Sequence, residues 1–269
     1  MVFYKILAFI KKSFFVQWSY RLAIFLGVLG FLGTLLTFYF IDRLFGFQIV
    51  SHLAPYGVNY FSYALVGIAF SGFIGTSLGK VVGQLNHEQA MGTLEALLVS
   101  PTRIETLISA MITWDLVYAF VEFAVYIVVG IFLFHIDFSN INILSVLVIT
   151  LLSIISFNSL SIISAGFIIV FKKGDPVSWL VNIGFELLGG VYFPVTVLPE
   201  WLQFISHLFP ITYAIRSVEL AIYQGATIRD LSSDIFALIV FSFLLLPVGL
   251  LILKYALSQA KRDGSLIQY

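Results

Sequence analysis

Long runs without a single charged residue constrain this chain more than any other feature. Leu22 to Ile41, Tyr60 to Gly79, Ile141 to Phe171 and Ile235 to Leu253 contain no Asp, Glu, Lys or Arg. An α-helix of about 20 apolar residues crosses the hydrocarbon core of a bilayer. Leu107 to Phe134 and Val177 to Val195 also qualify, although they carry Asp115 and Glu122, and Glu186. Only 10% of the residues are charged and 60% are hydrophobic, against about 25% charged in a soluble domain. No water-soluble fold hides that much apolar surface. The expectation is an all-α integral membrane protein with six transmembrane helices.

The 28 Phe and 13 Tyr exclude a disordered chain, which is poor in such residues. A net charge of zero offers no basic face for a nucleic acid. The absence of cysteine removes disulfides, thiolate metal sites and cysteine nucleophiles. Leu22 to Ile41 is too long for a signal-peptide core and lacks a small-residue cleavage pattern, so it reads as a retained first span.

Cytoplasmic loops hold an excess of Lys and Arg. With the N-terminus inside, Lys5, Lys11, Lys12, Arg21, Lys80, Arg103, Lys172, Lys173, Lys254, Lys261 and Arg262 fall at the cytoplasmic side. Only Arg43, Arg216 and Arg229 fall outside. Both termini are therefore expected in the cytoplasm, in a multi-pass protein of the cell membrane, most simply the plasma membrane of a prokaryote.

Phe3, Ile6, Leu7, Ile10 and Phe14 recur at helical spacing, with Lys5 and Lys12 opposite. Residues 1–20 thus read as a helix lying in the inner interface; the alternative is an extension of the first span. Gly67, Ser71, Gly75, Gly79 and Gly83 form a row of small residues four apart, suited to close helix approach in a moving interface or in fixed packing within one protomer.

Residues 196–234 cannot form one regular span, because Gly189, Gly190, Pro194, Pro199 and Pro210 interrupt the region repeatedly. Two short re-entrant extracellular helices are expected, Trp201 to Leu208 and Tyr213 to Tyr223. Trp201, Tyr213 and Tyr223 would then anchor at headgroup depth. Gly189, Gly190, Phe193, Pro194 and Pro199 are the expected outer gate, the glycines as hinge and the prolines fixing the return.

A phosphate-cradling G-x-x-x-x-G-K-[ST] loop is missing; at Gly79-Lys80 the flanking positions are Ile74 and Val81. The chain is therefore not expected to be an ATPase, nor to bind a cofactor itself. His52, His87, His135 and His207 are scattered over loops without metal-ligand spacing, so no metal site is expected. Asp115 and Glu122 lie seven residues apart on one helical face, and each would cost about 2.5 to 3.5 kcal/mol at mid-bilayer on the insertion scale. With Glu186 they either line a translocation path or pair and hydrate near the inner interface. An intramembrane enzyme needs groups converging on one substrate atom, and no such constellation surrounds these acids. An ion channel is the other alternative of a different class.

His87-Glu88-Gln89-Ala90-Met91-Gly92-Thr93-Leu94-Glu95-Ala96-Leu97-Leu98-Val99-Ser100-Pro101-Thr102 resembles the cytoplasmic E-x-x-x-G-T-L-E-x-L-L-x-S-P segment of ABC-2 type transporter permeases. Gly189-Gly190-Val191-Tyr192-Phe193-Pro194, then Leu198-Pro199 and Pro210-Ile211-Thr212-Tyr213, is similar to that family's G-x-x-F-P, L-P and P-x-T-Y pattern. The tail from Ala260 to Leu266 is a weaker third match. The resemblance implies a single transmembrane domain over residues 1–269 in a type V exporter. Two permeases, as a homodimer or with a paralogue, would meet two cytosolic ATP-binding subunits that hold the ATP and Mg. It also implies a coupling segment at 84–103, with Glu88, Gly92, Thr93, Leu94, Glu95 and Pro101 docking in the ATPase.

Polysaccharide-exporting members show an L-G-x-x-W pattern near the first span, whereas Leu22 to Ile41 has no Trp. The resemblance therefore points to an amphiphilic, drug-like or lipid-like substrate, with lipid-linked polysaccharide as the alternative.

Overall fold

The computed structural model describes residues 2–44, 51–72, 104–171, 184 and 187–262, and all regular structure among them is helical. In chain order the helices are α1 (Val2–Ser19), α2 (Arg21–Leu44), α3 (Tyr60–Gly72), α4 (Ile104–Phe134), α5 (Ile143–Phe171), α6 (Glu200–Ser206), α7 (Pro210–Tyr223) and α8 (Ser232–Arg262). Single 3-10 turns occupy Ser51–Leu53 and Val195–Val197. Phe25–Leu44, Val117–Phe134, Ile143–Phe167 and Ser232–Ala256 are long and apolar enough to cross a membrane.

Two expected spans fall partly outside the described residues. α3 accounts for the first part of Tyr60 to Gly79, and residues 73–79 lie outside. Of Val177 to Val195, helical geometry reaches Leu188, but residues 189–193 are bends rather than helix. The expected end at Val195 is therefore too late by seven residues. The apolar run continues through Val191, Tyr192 and Phe193, but Gly190 takes a φ of +86° that no right-handed helix accommodates.

Helical geometry lapses at Tyr20, so α1 is a helix separate from α2. α1 packs chiefly on α4, where the Phe14 and Trp114 rings meet edge-on at 6.3 Å.

α3 is the centre of the molecule, and every residue from Phe61 to Phe70 is buried. Leu65, Ala69 and Phe70 join Leu35 of α2, Ala119 and Tyr126 of α4, Ile149 of α5 and Ile211, Ile215 and Val218 of α7 in one core. α2 and α8 instead turn Leu22, Phe25, Leu26, Phe236, Phe243 and Leu251 outward. So continuous an exposed apolar surface suits acyl chains rather than water.

Lipid is as apolar as leucine, so helices in it associate through close packing and polar bonds rather than through the hydrophobic effect. The α5–α8 contact, the most extensive among the described helices, is built that way. The Ser156 and Ser242 hydroxyls lie 2.9 Å apart, with the Leu238 carbonyl 2.8 Å from Ser242. Beside them Gly249 lies so near the Ser159 carbonyl that a Cβ would stand 3.0 Å from it.

The same economy governs Gly67, first of the small-residue row on α3. A Cβ there would collide with the Val191 carbonyl oxygen of the same chain. At this position the row serves fixed packing within the protomer; Gly75, Gly79 and Gly83 lie outside the described residues. Gly67→Val should therefore lower stability by about 1–3 kcal/mol or more, as overpacking does. Gly33→Val should leave it nearly unchanged, since nothing stands within 4 Å of a Cβ at Gly33. Thermal unfolding of the detergent-solubilised protein measures the difference.

Candidate functional site

The segment from Gly189 to Tyr223 folds back over the N-terminal end of α3, and each of its irregular turns has an identifiable cause. At Gly190 the positive φ turns the carbonyl toward the Tyr63 hydroxyl, which donates to it across 2.8 Å in a buried setting. Glycine enters this conformation without the Cβ clash that other residues suffer. Val191 is fully buried against Gly67, and the Tyr192 ring stacks on Phe38 at 5.4 Å and 8°.

Pro194 opens the 3-10 turn, its carbonyl accepting from the Val197 N–H at 3.0 Å. Thr196 there lies 3.3 Å from Nδ1 of His52. Pro199 opens α6, its carbonyl accepting from Leu202 and Gln203 at 2.9 and 3.0 Å. The Gln203 side-chain amide donates to the Leu198 carbonyl at 2.7 Å. α6 presents Trp201 and Phe204 outward.

α7 then begins with Pro210 in its first turn, where the missing N–H costs nothing. Thr212 donates to the Ser206 carbonyl at 2.7 Å and Tyr213 to the His207 carbonyl at 3.0 Å, closing the corner between α6 and α7.

At its far end α7 is tied to the start of α3. The Tyr223 hydroxyl donates to the Ser62 carbonyl at 2.6 Å, and the Gln224 amide to the Tyr56 carbonyl at 2.7 Å. Tyr223 is thus buried, and its expected role as a headgroup anchor is corrected: its ring stacks on Phe138 and its hydroxyl is spent on the protein. Trp201 is exposed and Tyr213 half-buried.

Of the residues singled out from sequence, Gly189, Gly190 and Pro194 are buried, Phe193 half-buried and Pro199 exposed, all along this one segment. Asp115 and Glu122 both lie in α4. The Glu122 carboxyl faces α3, where a Cβ on Gly72 would stand 3.5 Å from it. Glu186 and the coupling residues Glu88, Gly92, Thr93, Leu94, Glu95 and Pro101 lie outside the described residues. His52, His135 and His207 sit on exposed turns. Among the described residues, no three His, Cys, Asp or Glu side chains converge as metal ligands would.

Sequence reasoning missed Glu219. It lies on the buried face of α7, is fully inaccessible, and neither carboxyl oxygen has a hydrogen-bond partner. Burial pushes its carboxyl well above the usual carboxylate range. The signal was available, since Ile211, Ile215, Val218 and Ile222 form the apolar stripe of α7 and Glu219 stands four residues from Ile215. Burial also raises the Tyr56 phenol, with the Glu219 charge as the next cause. Nearby, the Ser217 hydroxyl donates to Asp234 at 3.2 Å, and Arg216 Nε lies 3.8 Å from the same carboxylate oxygen. The exposed acids Asp137 and Asp230 behave oppositely. The Ser139 N–H lowers the first and the Thr227 hydroxyl the second.

This arrangement seals one end of the helix bundle with irregular backbone, in which the Gly190, Pro194, Leu198 and Pro199 carbonyls accept hydrogen bonds from protein groups. The ABC-2 type transporter family model matches residues 4–223, from α1 through the end of α7. The chain belongs to that family. It is the membrane-spanning permease subunit of an ABC transporter, a multi-pass transport component whose family works with a cytosolic ATP-binding subunit. No curated protein sequence matches it.

The Tyr63–Gly190 bond is the buried tie of the seal. Tyr63→Phe leaves the carbonyl unpaired and should cost about 1–3 kcal/mol. Tyr213→Phe removes an exposed bond, so it should cost well under half as much. Paired thermal melts of the two variants check the ranking.

Proposed function

We propose that this permease forms the export pathway of an assembly of two permeases and two ATP-binding subunits, moving an amphiphilic substrate from the cytoplasm or inner leaflet outward. The observation that supports this most is the outer segment. Non-helical backbone at membrane depth is tolerated only where protein buries it or where it lines a watery cavity. Here Gly190 to Pro194 rests on α3 and α2 through a handful of contacts, a seal that separates without unfolding any span. The segment acts as the outer gate, with Gly189 and Gly190 as hinge.

In this reading the chain has six spans with both termini in the cytoplasm, α1 lies in the inner interface, and α6 and α7 dip into the outer leaflet. The Glu88 to Thr102 segment docks in the ATPase, which supplies ATP and Mg. ATP-driven closure of the motor then tilts the spans. Asp115, Glu122 and Glu186 line the pathway. The single-chain composition, with no nucleotide loop of its own, fits a motor on a separate polypeptide.

Topology is testable because the chain has no cysteine. Single cysteines at Ser139 and Ser232 should react with an impermeant thiol reagent in intact cells, and those at Gln89 and Gly174 only after permeabilisation. Outside labelling at Gln89 would remove the coupling segment from the cytoplasm.

Replacing Glu88 and Glu95 together by Lys reverses the charge of the docking segment and places unfavourable pairs at the contact. ATPase co-purification or transport-stimulated hydrolysis should fall at least several-fold. Unchanged co-purification together with unchanged transport would refute docking at this segment.

A further inference from the structure

We propose that Glu219 is a proton-binding site that keeps the outer segment shut while occupied and frees it when the proton leaves. The proposal rests on the outer-gate reading and adds a ligand, the proton, to it.

Three observations lead there. Glu219 is fully buried with both carboxyl oxygens unpartnered, a rare arrangement in a folded protein. The phenols that feel its charge are Tyr56 from the 51–57 segment, Tyr63 from α3 and Tyr223 from α7 itself. Two of those phenols are already committed, Tyr63 to the Gly190 carbonyl and Tyr223 to the Ser62 carbonyl. These are the two bonds that fasten the segment to α3.

A neutral Glu219 leaves the fastenings alone. An ionised Glu219 has no hydrogen-bond donor on it in the closed segment, and two of the phenols that feel its charge are the ones holding the segment down. A buried carboxylate without partners is costly, so ionisation favours the state in which the segment lifts and water reaches the group. The remaining charged groups around the site do not relieve it. Arg216 on α7 is more than half exposed and leans to Asp234 of α8 rather than to Glu219. α5, packed against α7, has no ionisable side chain.

Hydrated in the open state, Glu219 titrates as an ordinary carboxyl; closed, burial makes it hold its proton to higher pH. Below the ordinary value both states are protonated and pH has no effect. Above it the closed state carries one extra proton, so opening gains up to about tenfold per pH unit until the closed-state value is passed. Alkalinity outside opens the segment, and acidity shuts it.

The test uses the full chain in cell membranes. Val191→Cys reports opening, because Val191 is inaccessible in the closed segment, and Thr196→Cys, at an exposed position, confirms reagent access. Labelling rates are taken from about pH 5.5 to about pH 8 in chains with Glu219 and with Glu219→Gln, whose amide reproduces the neutral state; their ratio cancels the thiol's own titration. The ratio of native to Glu219→Gln rate should climb several-fold or more across that range. Glu219→Met should behave as Glu219→Gln.

A constant ratio with clear labelling at Val191→Cys would overturn the proton site and leave the gate standing. If Val191→Cys never reacts while Thr196→Cys does, the segment does not open and both readings fail. Loss of assembly in Glu219→Gln would also overturn the proposal, since a neutral group of the same shape should fit.

Discussion

The half of this molecule around the N-terminal end of α3 depends on one close approach, the Val191 carbonyl against the bare Cα of Gly67. Any side chain at Gly67 would hold the return segment away from α3. Tyr63 would then lose the Gly190 carbonyl, and Tyr192 its stacking on Phe38. Because α3 is buried on every side, it cannot yield to make room. A helix with no free face forces adaptation on whatever packs against it, and here that is a chain already broken by glycine and proline.

The same physics operates between α5 and α8, where serines and glycines replace bulky side chains so that backbones touch. Polar bonds between helices in membranes contribute only about 0.6 kcal/mol on average. Their value at Ser156 and Ser242 is therefore mainly in fixing register between two long helices. Pro247 within α8 removes one intrahelical donor near that seam. Glu219 departs from this pattern, since both its carboxyl oxygens stay without a hydrogen-bond partner, as do those of Asp42 at the end of α2.

Uncharged runs identify spans because hydrocarbon penalises charge everywhere along a helix, and α2, α5 and α8 lie where those runs placed them, with α4 on an apolar run that carries two acids. Glycine and proline likewise exposed the broken segment, since both act on the backbone directly. The end of the helix at Leu188 was hidden, because Val191, Tyr192 and Phe193 are as apolar as the span before them and only the Gly190 torsion differs. Tyr223 was misread for a related reason: an amphipathic helix looks alike whether its apolar face meets lipid or protein. Glu219 was passed over because attention went to acids in long spans rather than in a short helix. The coupling segment was legible only through its resemblance to a family, since its own residues read as a polar loop.

The ties between α3 and the return segment join residues far apart in the chain. Tyr63 and Gly190 are separated by 127 positions, and Ser62 and Tyr223 by 161. At a synthesis rate of about 5–20 residues per second, α3 waits on the order of ten seconds before its partners emerge. α2, which precedes α3 in the chain, packs on it at once, but the flank bared at Gly67 receives its covering segment only after more than a hundred further residues have been made.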